Sequence, residues 1–449
     1  MSEPPENGRS RFQWSQAEAQ KPERAIVLVP DIRTGANHPE PARSAASRLE
    51  EARGLAEAIR LEVAESGVVP LKSVKPATLM GSGKVEEIAG IIKAGEIGLA
   101  IVDHALSPVQ QRNLEKAWNC KVLDRTGLIL EIFGDRARTK EGRLQVDLAH
   151  LNYQKGRLVR QWTHLERQRG GAGFMGGPGE TQIEADRREI QAKILKLESE
   201  LEKVRRTRQL HRAGRKRRPH PVVALVGYTN AGKSTLFNRL TGSKVLAKDM
   251  LFATLDPTLR QLTLPKGTEA ILSDTVGFIS DLPTHLVAAF RATLEEVVEA
   301  NVILHVRDIA DPENTAQADD VYKILADLGI GSDGREGVIE VLNKTDLLPQ
   351  ETLASIRATK SADHAVLVSA VTGEGLGALL ERIEAAIGAD ARMIRLHLEP
   401  GDLSALPEIY RDGSIVARRD NEDGSVDLTV RLNANVGEGR YRAFLAQAS

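Results

Sequence analysis

The chain has 449 residues, with 61 Lys and Arg against 62 Asp and Glu and a net charge of -1 at pH 7. Whole-chain charge therefore decides nothing about nucleic acid, and local clustering has to. The lone cysteine, Cys120, excludes an intrachain disulfide, and no apolar run approaches the roughly 20 residues of a membrane span.

The length predicts about three domains, and a hydrophobic share of 41% is enough for ordinary globular cores. Met1 to Asn7 lacks the apolar stretch of a leader peptide, and a single cysteine fits a reducing compartment. The expectation is a cytoplasmic protein with no transmembrane segment; peripheral membrane contact stays open.

Residues 1–22 are polar and rich in Pro, Glu and Ser, which predicts no packed structure. Residues 23–140 alternate apolar runs with helical patterns. Ala25 to Val29 and Leu99 to Val102 are expected to be buried strands, and Lys121 to Leu123 a shorter one. Residues 43–59 fit a helix with Leu49, Leu55 and Ile59 on one side, and Val85, Ile88, Ile91 and Ile92 form a second helical stripe. This alternation predicts a small α/β domain with a parallel sheet. Cys120 enters an apolar run and is expected to be a small buried packing residue. Gly81-Ser82-Gly83-Lys84 imitates a phosphate loop, but Thr78 stands where the first glycine belongs and Val85 where a Mg²⁺ hydroxyl belongs. A glycine turn capping a helix from Ser82 is favoured over a weak nucleotide or RNA contact.

Residues 141–215 predict a long antiparallel helical hairpin. Leu144, Leu148, Leu151, Leu158, Trp162 and Leu165 keep alternating steps of four and three, with Lys155 at the missed step. Ile183, Ile190, Ile194, Leu197, Leu201 and Val204 do the same, with Arg187 at theirs. The connection from Gly170 to Gly179 is long and almost without side chains, whereas such connections usually take about 2–8 residues. It is either a loose tether or a flexible finger on a basic stalk. Arg157, Arg160, Arg167, Arg169, Arg187 and Arg188 flank it, and the second helix ends in Arg205, Arg206, Arg208, Arg212, Arg215, Lys216, Arg217 and Arg218. A run this one-signed in a neutral chain favours an RNA-facing surface; no DNA partner is expected.

Residues 219–388 carry the chemistry. After the apolar run Val222 to Val226 comes Gly227-Tyr228-Thr229-Asn230-Ala231-Gly232-Lys233-Ser234, which leads through Thr235 into a helix. The glycines let backbone N–H groups wrap an anion, Lys233 places a charge at the β- and γ-phosphates, and Ser234 offers a hydroxyl to Mg²⁺. The helix that begins here turns its positive end to the same anion. In Phe252-Ala253-Thr254-Leu255-Asp256, Thr254 is placed as a second Mg²⁺ ligand that orders when a γ-phosphate is present. The strand Ile271 to Asp274 ends in a metal-holding carboxylate, and Thr275-Val276-Gly277 follows, with the Gly277 amide within reach of the γ-phosphate. Lys233, Thr254 and Gly277 are the expected catalytic residues. Asn343-Lys344-Thr345-Asp346 puts a carboxylate where it accepts from guanine N1–H and N2–H₂ and would stand unpaired against adenine. Ser369-Ala370-Val371 offers backbone to guanine O6. Together these motifs predict a GTPase using GTP, GDP and Mg²⁺. Phe278 stands where Ras-like enzymes keep a water-orienting glutamine, so hydrolysis by the isolated chain is expected to be slow and accelerated by a partner.

Residues 389–449 predict a small α+β domain. Met393 to Leu398 alternates like a half-exposed strand, and Ser414 to Arg418 and Ser425 to Leu432 flank the turn Asp420 to Gly424. The whole is an α/β chain: a P-loop GTPase domain preceded by a small α/β domain and a long helical hairpin, and followed by the small α+β domain.

The chain resembles the HflX family, within the Obg–HflX group of translational GTPases. The resemblance rests on Gly176-Gly177-Pro178-Gly179-Glu180-Thr181, on Phe252 to Asp256, and on Asp274-Thr275-Val276-Gly277-Phe278. A hydrophobic residue at the glutamine position is expected of that family. The resemblance implies phosphate binding by Gly227 through Ser234, Mg²⁺ on Ser234 and Thr254, and guanine on Asn343, Lys344 and Asp346. It further implies binding to the large ribosomal subunit and its rRNA, with the hairpin tip toward the peptidyl-transferase centre, and nucleotide-gated splitting or rescue of ribosomes under stress. Some members are thought to hydrolyse ATP through the N-terminal domain, which the defective loop at Gly81 to Lys84 argues against here. A monomer is expected. The alternative is a regulatory or scaffolding GTPase whose hairpin binds a protein or a non-ribosomal RNA.

Overall fold

The structure is a computed structural model that describes residues 23–32, 43–162, 178–215, 220–243, 251–252, 257–280, 291–330, 337–359, 365–389, 393–421, 423–432, 441 and 443–445. The N-terminal region folds as β1 (Arg24–Ile32), α1 (Ala45–Ala58), β2 (Glu62–Leu71), α2 (Ser82–Ala94), β3 (Leu99–Val102), α3 (Pro108–Trp118), β4 (Lys121–Asp124) and α4 (Arg125–Arg136). Its strands are parallel, in the order β2-β1-β3-β4. The unbroken apolar runs of β1 and β3 follow from burial on both faces. Ala25, Val27, Val29 and Ile101 face α1 and α4, while Ile26, Leu28, Ala100 and Val102 face α2 and α3. The edge strand β2 was not expected. Gly67 and Pro70 weaken its pattern, and an edge position tolerates both. Helix α3 starts on a reciprocal cap: Ser107 Oγ accepts from Gln110 N at 3.2 Å, and Gln110 Oε1 from Ser107 N at 2.9 Å. Gly81 caps α2, which begins at Ser82 as the glycine-turn reading requires. Cys120 is half-buried, not buried, and burial pushes its thiol up to about 11.

Helices α5 (Lys140–Trp162) and α6 (Pro178–Arg215) pack on each other. Ile194 and Leu201 are buried on the expected seam, and Lys155, at the missed step, donates to Gln191 Oε1 at 2.5 Å. The first turns of α5 serve another purpose. Val146 and Ala149 enter the N-terminal core, and Tyr153 Oη and Arg157 Nη2 each donate to Asp124 at 2.6 Å. The hairpin is therefore anchored to the N-terminal domain. Its tip through Gly177, with Arg167 and Arg169, and the run Lys216 to Arg218 lie outside the described residues.

The next elements are β5 (Val222–Val226), α7 (Lys233–Thr241), β6 (Thr258–Thr263), β7 (Glu269–Asp274), α8 (Arg291–Val298), β8 (Val302–Asp308), α9 (Asn314–Asp327), β9 (Val338–Asn343), α10 (Gln350–Thr359), β10 (Ala365–Leu367) and α11 (Leu376–Ala389). Their sheet runs β10-β9-β8-β5-β7-β6, parallel except for β6 against β7. The tail forms β11 (Met393–Leu398), α12 (Leu406–Asp412), β12 (Gly413–Asp420) and β13 (Val426–Leu432), an antiparallel sheet in the order β11-β13-β12. Among the described residues no helix is long and apolar enough to cross a membrane.

One apolar cluster crosses from the N-terminal domain into the next, joining Leu55, Ile129 and Phe133 to Tyr228, Phe252, Phe278 and Leu294. Phe133 meets Phe252 edge to face, with ring centroids 4.8 Å apart. Replacing Phe133 by Ala should cost about 3–5 kcal/mol in a urea titration, as for a fully packed aromatic. A loss near zero would mean that the ring carries no packing across this junction.

Candidate nucleotide site

The site lies at the carboxyl ends of β5, β7 and β9, where chain reversals leave backbone groups free to face a ligand. Gly232 closes the loop at φ 90°, and a Cβ there would stand 2.3 Å from Asn343 Nδ2. Only glycine allows that approach. Asn230 also takes a left-handed conformation, at φ 61°. Lys233, buried at the first turn of α7, donates from Nζ to Gly227 O at 3.0 Å and Tyr228 O at 2.7 Å. Burial brings its ammonium down to about 8, against the opposing pull of Asp274. Ser234 Oγ donates to Asp274 Oδ2 at 2.7 Å, which sets a hydroxyl beside a carboxylate at the mouth of the loop. Thr235 follows, half-buried in the helix.

The segment after β7 is sewn to the phosphate loop. Thr275 Oγ1 donates to Leu225 O at 2.5 Å. Phe278 N donates to Gly227 O at 3.1 Å, and Thr229 N to Phe278 O at 2.7 Å, a single rung of parallel sheet between Tyr228 and Phe278. Val276 and Phe278 are buried, so the phenyl ring fills core and faces no water. Gly277 sits against the loop: a Cβ there would stand 2.9 Å from Thr229 Cγ2 and 3.1 Å from Lys233 Nζ. Phe252 is buried at φ 54°. Ala253, Thr254, Leu255 and Asp256 lie outside the described residues.

The base side is equally knit. Asn343 Nδ2 donates to Ala231 O at 2.9 Å, and its Oδ1 accepts from Ala370 N at 3.0 Å. That asparagine therefore works as a brace between three loops, and the Ala370 amide expected at a base is engaged by it. Lys344 takes a left-handed turn at φ 65°, and its Nζ pairs with Asp308 Oδ2 at 2.6 Å. Thr345 is buried and its N donates to Val368 O at 3.3 Å. Asp346 is exposed, with Ser369 Oγ donating to its Oδ1 at 2.6 Å, and Val371 is 69% exposed beside it.

Sequence reasoning treated Tyr228 as loop backbone. Its ring turns out of the loop, and its hydroxyl donates to Glu51 of α1 and accepts from Arg43 Nη1 at 2.6 Å. Neither partner was expected. One available signal was Tyr228 itself, the single aromatic residue of the loop.

Four family profiles match in succession. They are described as GTP-binding GTPase N-terminal (residues 46–134), GTP-binding GTPase middle region (136–215), 50S ribosome-binding GTPase (222–344) and HflX C-terminal domain (354–442). The chain is 50% identical over 405 residues to GTPase HflX of Magnetococcus marinus, covering 90% of this chain and 91% of the relative. It is 45% identical over 362 residues to GTPase HflX of Escherichia coli K12, covering 80% and 84%. Among solved structures, a GTP-binding protein of Sulfolobus solfataricus in complex with GDP shares 23% identity, with a TM-score of 0.45 over 81% of this chain and 98% of that one.

A phosphate bound in this loop would act on the Lys233 ammonium. Between pH of about 8 and the ordinary lysine value, the unfolded chain binds more protons than the folded one, so the stability of the empty site rises with pH there. Phosphates favour the charged form, so GDP binding should take up a proton above about pH 8, and affinity should fall as pH rises. Calorimetric titration at about pH 8.5 in two buffers of different ionisation enthalpy should show the uptake, and Lys233→Met should abolish it. Equal apparent enthalpies in the two buffers with the unmodified chain would contradict this.

Proposed function

The chain belongs to the HflX family of GTPases, and from that premise we propose that it is a Mg²⁺-dependent GTP switch acting on the large ribosomal subunit. It is a GTP hydrolase and binds GTP and GDP. The observation that carries the proposal is a match running in order through all four segments of the chain, hairpin included, with the 50S ribosome-binding description on the nucleotide domain.

The geometry supports a role for each residue. Backbone N–H groups from Gly227 to Ser234 and the Lys233 ammonium receive the phosphates. The Ser234 hydroxyl beside the Asp274 carboxylate is a hard-oxygen set that suits Mg²⁺, and Thr254 would add a third oxygen. The bound ion would neutralise charge on the phosphate oxygens. Gly277, lying against Lys233, presents its amide to the γ-phosphate. Asp346, oriented by Ser369, reads guanine, while Asn343 holds the base loop to the phosphate loop and Lys344 ties it to Asp308 at the end of β8. Buried Phe278 orients no water, so the partner must complete the site and the isolated chain turns over slowly. The basic hairpin is the element that meets rRNA, with its tip toward the peptidyl-transferase centre, and the cycle of GTP binding and hydrolysis drives splitting, rescue or recycling of ribosomes in the cytoplasm under stress.

Cosedimentation with isolated ribosomal subunits should show retention on the large subunit with a non-hydrolysable GTP analogue and release with GDP. Indifference to the nucleotide, together with no stimulation of hydrolysis by ribosomes, would defeat the reading. Deleting Gly170 to Gly179 should abolish the effect on ribosomes and leave GTP affinity within about twofold; a collapse of GTP affinity would make the tip structural. Asp346→Asn should weaken GTP about a hundredfold or more, the scale of two charge-assisted hydrogen bonds. Xanthosine triphosphate, which offers an acceptor at position 2, should bind this variant better than GTP does.

A further inference from the structure

Five hydroxyls belong to the phosphate loop (227–234) and to the segment after β7 (275–280), and four of them have partners. Tyr228 Oη donates to Glu51 and accepts from Ser280 N at 3.0 Å. Ser234 Oγ donates to Asp274, and Thr275 Oγ1 to Leu225 O. Ser280 Oγ donates to Glu51 Oε1 at 3.3 Å and accepts from Arg125 Nη2 at 3.0 Å. The same guanidinium also reaches Ser280 O, Glu51 and Asp103. The fifth hydroxyl is that of Thr229. The residue is 6% exposed, and its Oγ1 is shut off from solvent with no partner among the described residues. A buried hydroxyl of this kind has given up its bonds to water and received nothing in return, so it destabilises the chain that carries it. Native structures keep few such groups, and rules of this sort are broken mainly at functional sites.

The position of Thr229 supplies the reason. Its N donates to Phe278 O at 2.7 Å, which fixes its backbone beside the residue that follows Gly277. A Cβ on Gly277 would stand 2.9 Å from Thr229 Cγ2, 3.1 Å from Thr229 Cα and 3.1 Å from Lys233 Nζ. One point thus lies within contact range of both Thr229 and the loop ammonium. Threonine is β-branched and stiff about χ1, so a methyl held against Gly277 fixes the hydroxyl as well. Phe278 is buried and brings no polar side chain to this place.

We propose that Thr229 is a catalytic residue of GTP hydrolysis, whose hydroxyl holds the attacking water at the γ-phosphate. The hydroxyl accepts a hydrogen bond from the water and donates its own to a γ-phosphoryl oxygen. The water oxygen bonds to the γ-phosphorus. The bond from that phosphorus to the β–γ bridging oxygen breaks, and its electron pair leaves with GDP. One water proton passes to a phosphate oxygen, so Thr229 ends as it began. Placing the reactants is most of what phosphoryl transfer asks of a protein. The inference rests on the reading above that Gly277 faces the γ-phosphate, and it does not depend on the ribosomal partner.

The test is single-turnover hydrolysis of pre-bound GTP by the full chain without ribosomes. GDP affinity and the melting temperature of the nucleotide-free chain are measured alongside. Thr229→Val replaces the hydroxyl by a methyl of nearly the same shape. It should slow hydrolysis about tenfold or more, the scale of one lost transition-state hydrogen bond, and leave the GDP dissociation constant within about threefold. Its melting temperature should hold or rise, because an unpartnered buried hydroxyl has been removed. Rate and stability then move apart, which a purely structural role does not produce. Thr229→Ser keeps the hydroxyl and should recover most of the lost rate. Thr229→Val at the unmodified rate would overturn the proposal. So would Thr229→Ser as slow as Thr229→Val, or a melting temperature that falls together with the rate. Gly277→Ala tests the premise separately and should lose hydrolysis. Normal turnover there would remove the role given to Gly277 and the proposal with it, whereas a slow Gly277→Ala beside a normal Thr229→Val overturns the proposal only. Should Thr229→Val fail to fold, Thr229→Ala against Thr229→Ser carries the same comparison, and equal rates in the two would be equally decisive.

Discussion

The structure turns on one buried phenol. The hydroxyl of Tyr228 sits between two domains, donating to Glu51 and accepting from Arg43 and from the Ser280 amide. Around it lie two guanidinium groups and two carboxylates, all nearly sealed from water. Charges buried this deeply are tolerable only when each is paired, and leaving one unpaired typically costs about 3–5 kcal/mol. Burial alone would raise the Glu51 carboxyl, yet Arg125 and Arg43 hold it below the usual carboxylate range. Burial and the neighbouring Glu51 push the Tyr228 phenol up, so it stays a donor. The junction is therefore close to all-or-none: with its full set of partners it is tight, and with one missing it is strained.

Around that junction the cores fuse. Phe133, Phe252 and Phe278 belong to one apolar cluster drawn from both domains. On the far side, Asp124 ties the hairpin to the same N-terminal sheet through Tyr153 and Arg157, while also capping α4 through the Gly127 amide at 2.8 Å. Arg125 is the next residue in the chain. Two adjacent positions thus face opposite ways, one toward the helical stalk and one toward the loop after β7.

The parts that were legible in the sequence share a cause: their chemistry is local. The phosphate loop, the guanine motif and the tail hairpin each need particular residues at fixed short spacings, and β5, β7, β9, β11 and β13 stand close to where those spacings put them. The strands β1 and β3 were legible because burial on both faces leaves unbroken apolar runs. Edge strand β2 was not, since its Gly67 and Pro70 speak against a strand that only an edge permits. Nor were α3 and α4 anticipated, although Ser107, Pro108 and Gln110 spell a helix start. The ionic junction was least visible. Glu51 and Tyr228 lie 177 positions apart, and Glu51 has an ordinary place within a charged helix. Arg125, like Tyr228, was conspicuous in retrospect. A cation in the first turn opposes the helix dipole, so something beyond the helix had to hold it there.

The mutual dependence of Arg43, Glu51, Arg125, Tyr228 and Ser280 also bears on how such a chain can change over generations. A lone substitution at Arg43, Glu51, Arg125 or Tyr228 strands a buried charge or an orphaned amide, so most single steps there are penalised and viable paths pass through paired replacements. The N-terminal and nucleotide domains are thereby bound to a common history. A hybrid that joins one relative's first domain to another's second inherits half of a lock, and its fitness depends on whether the two halves were cut from the same key.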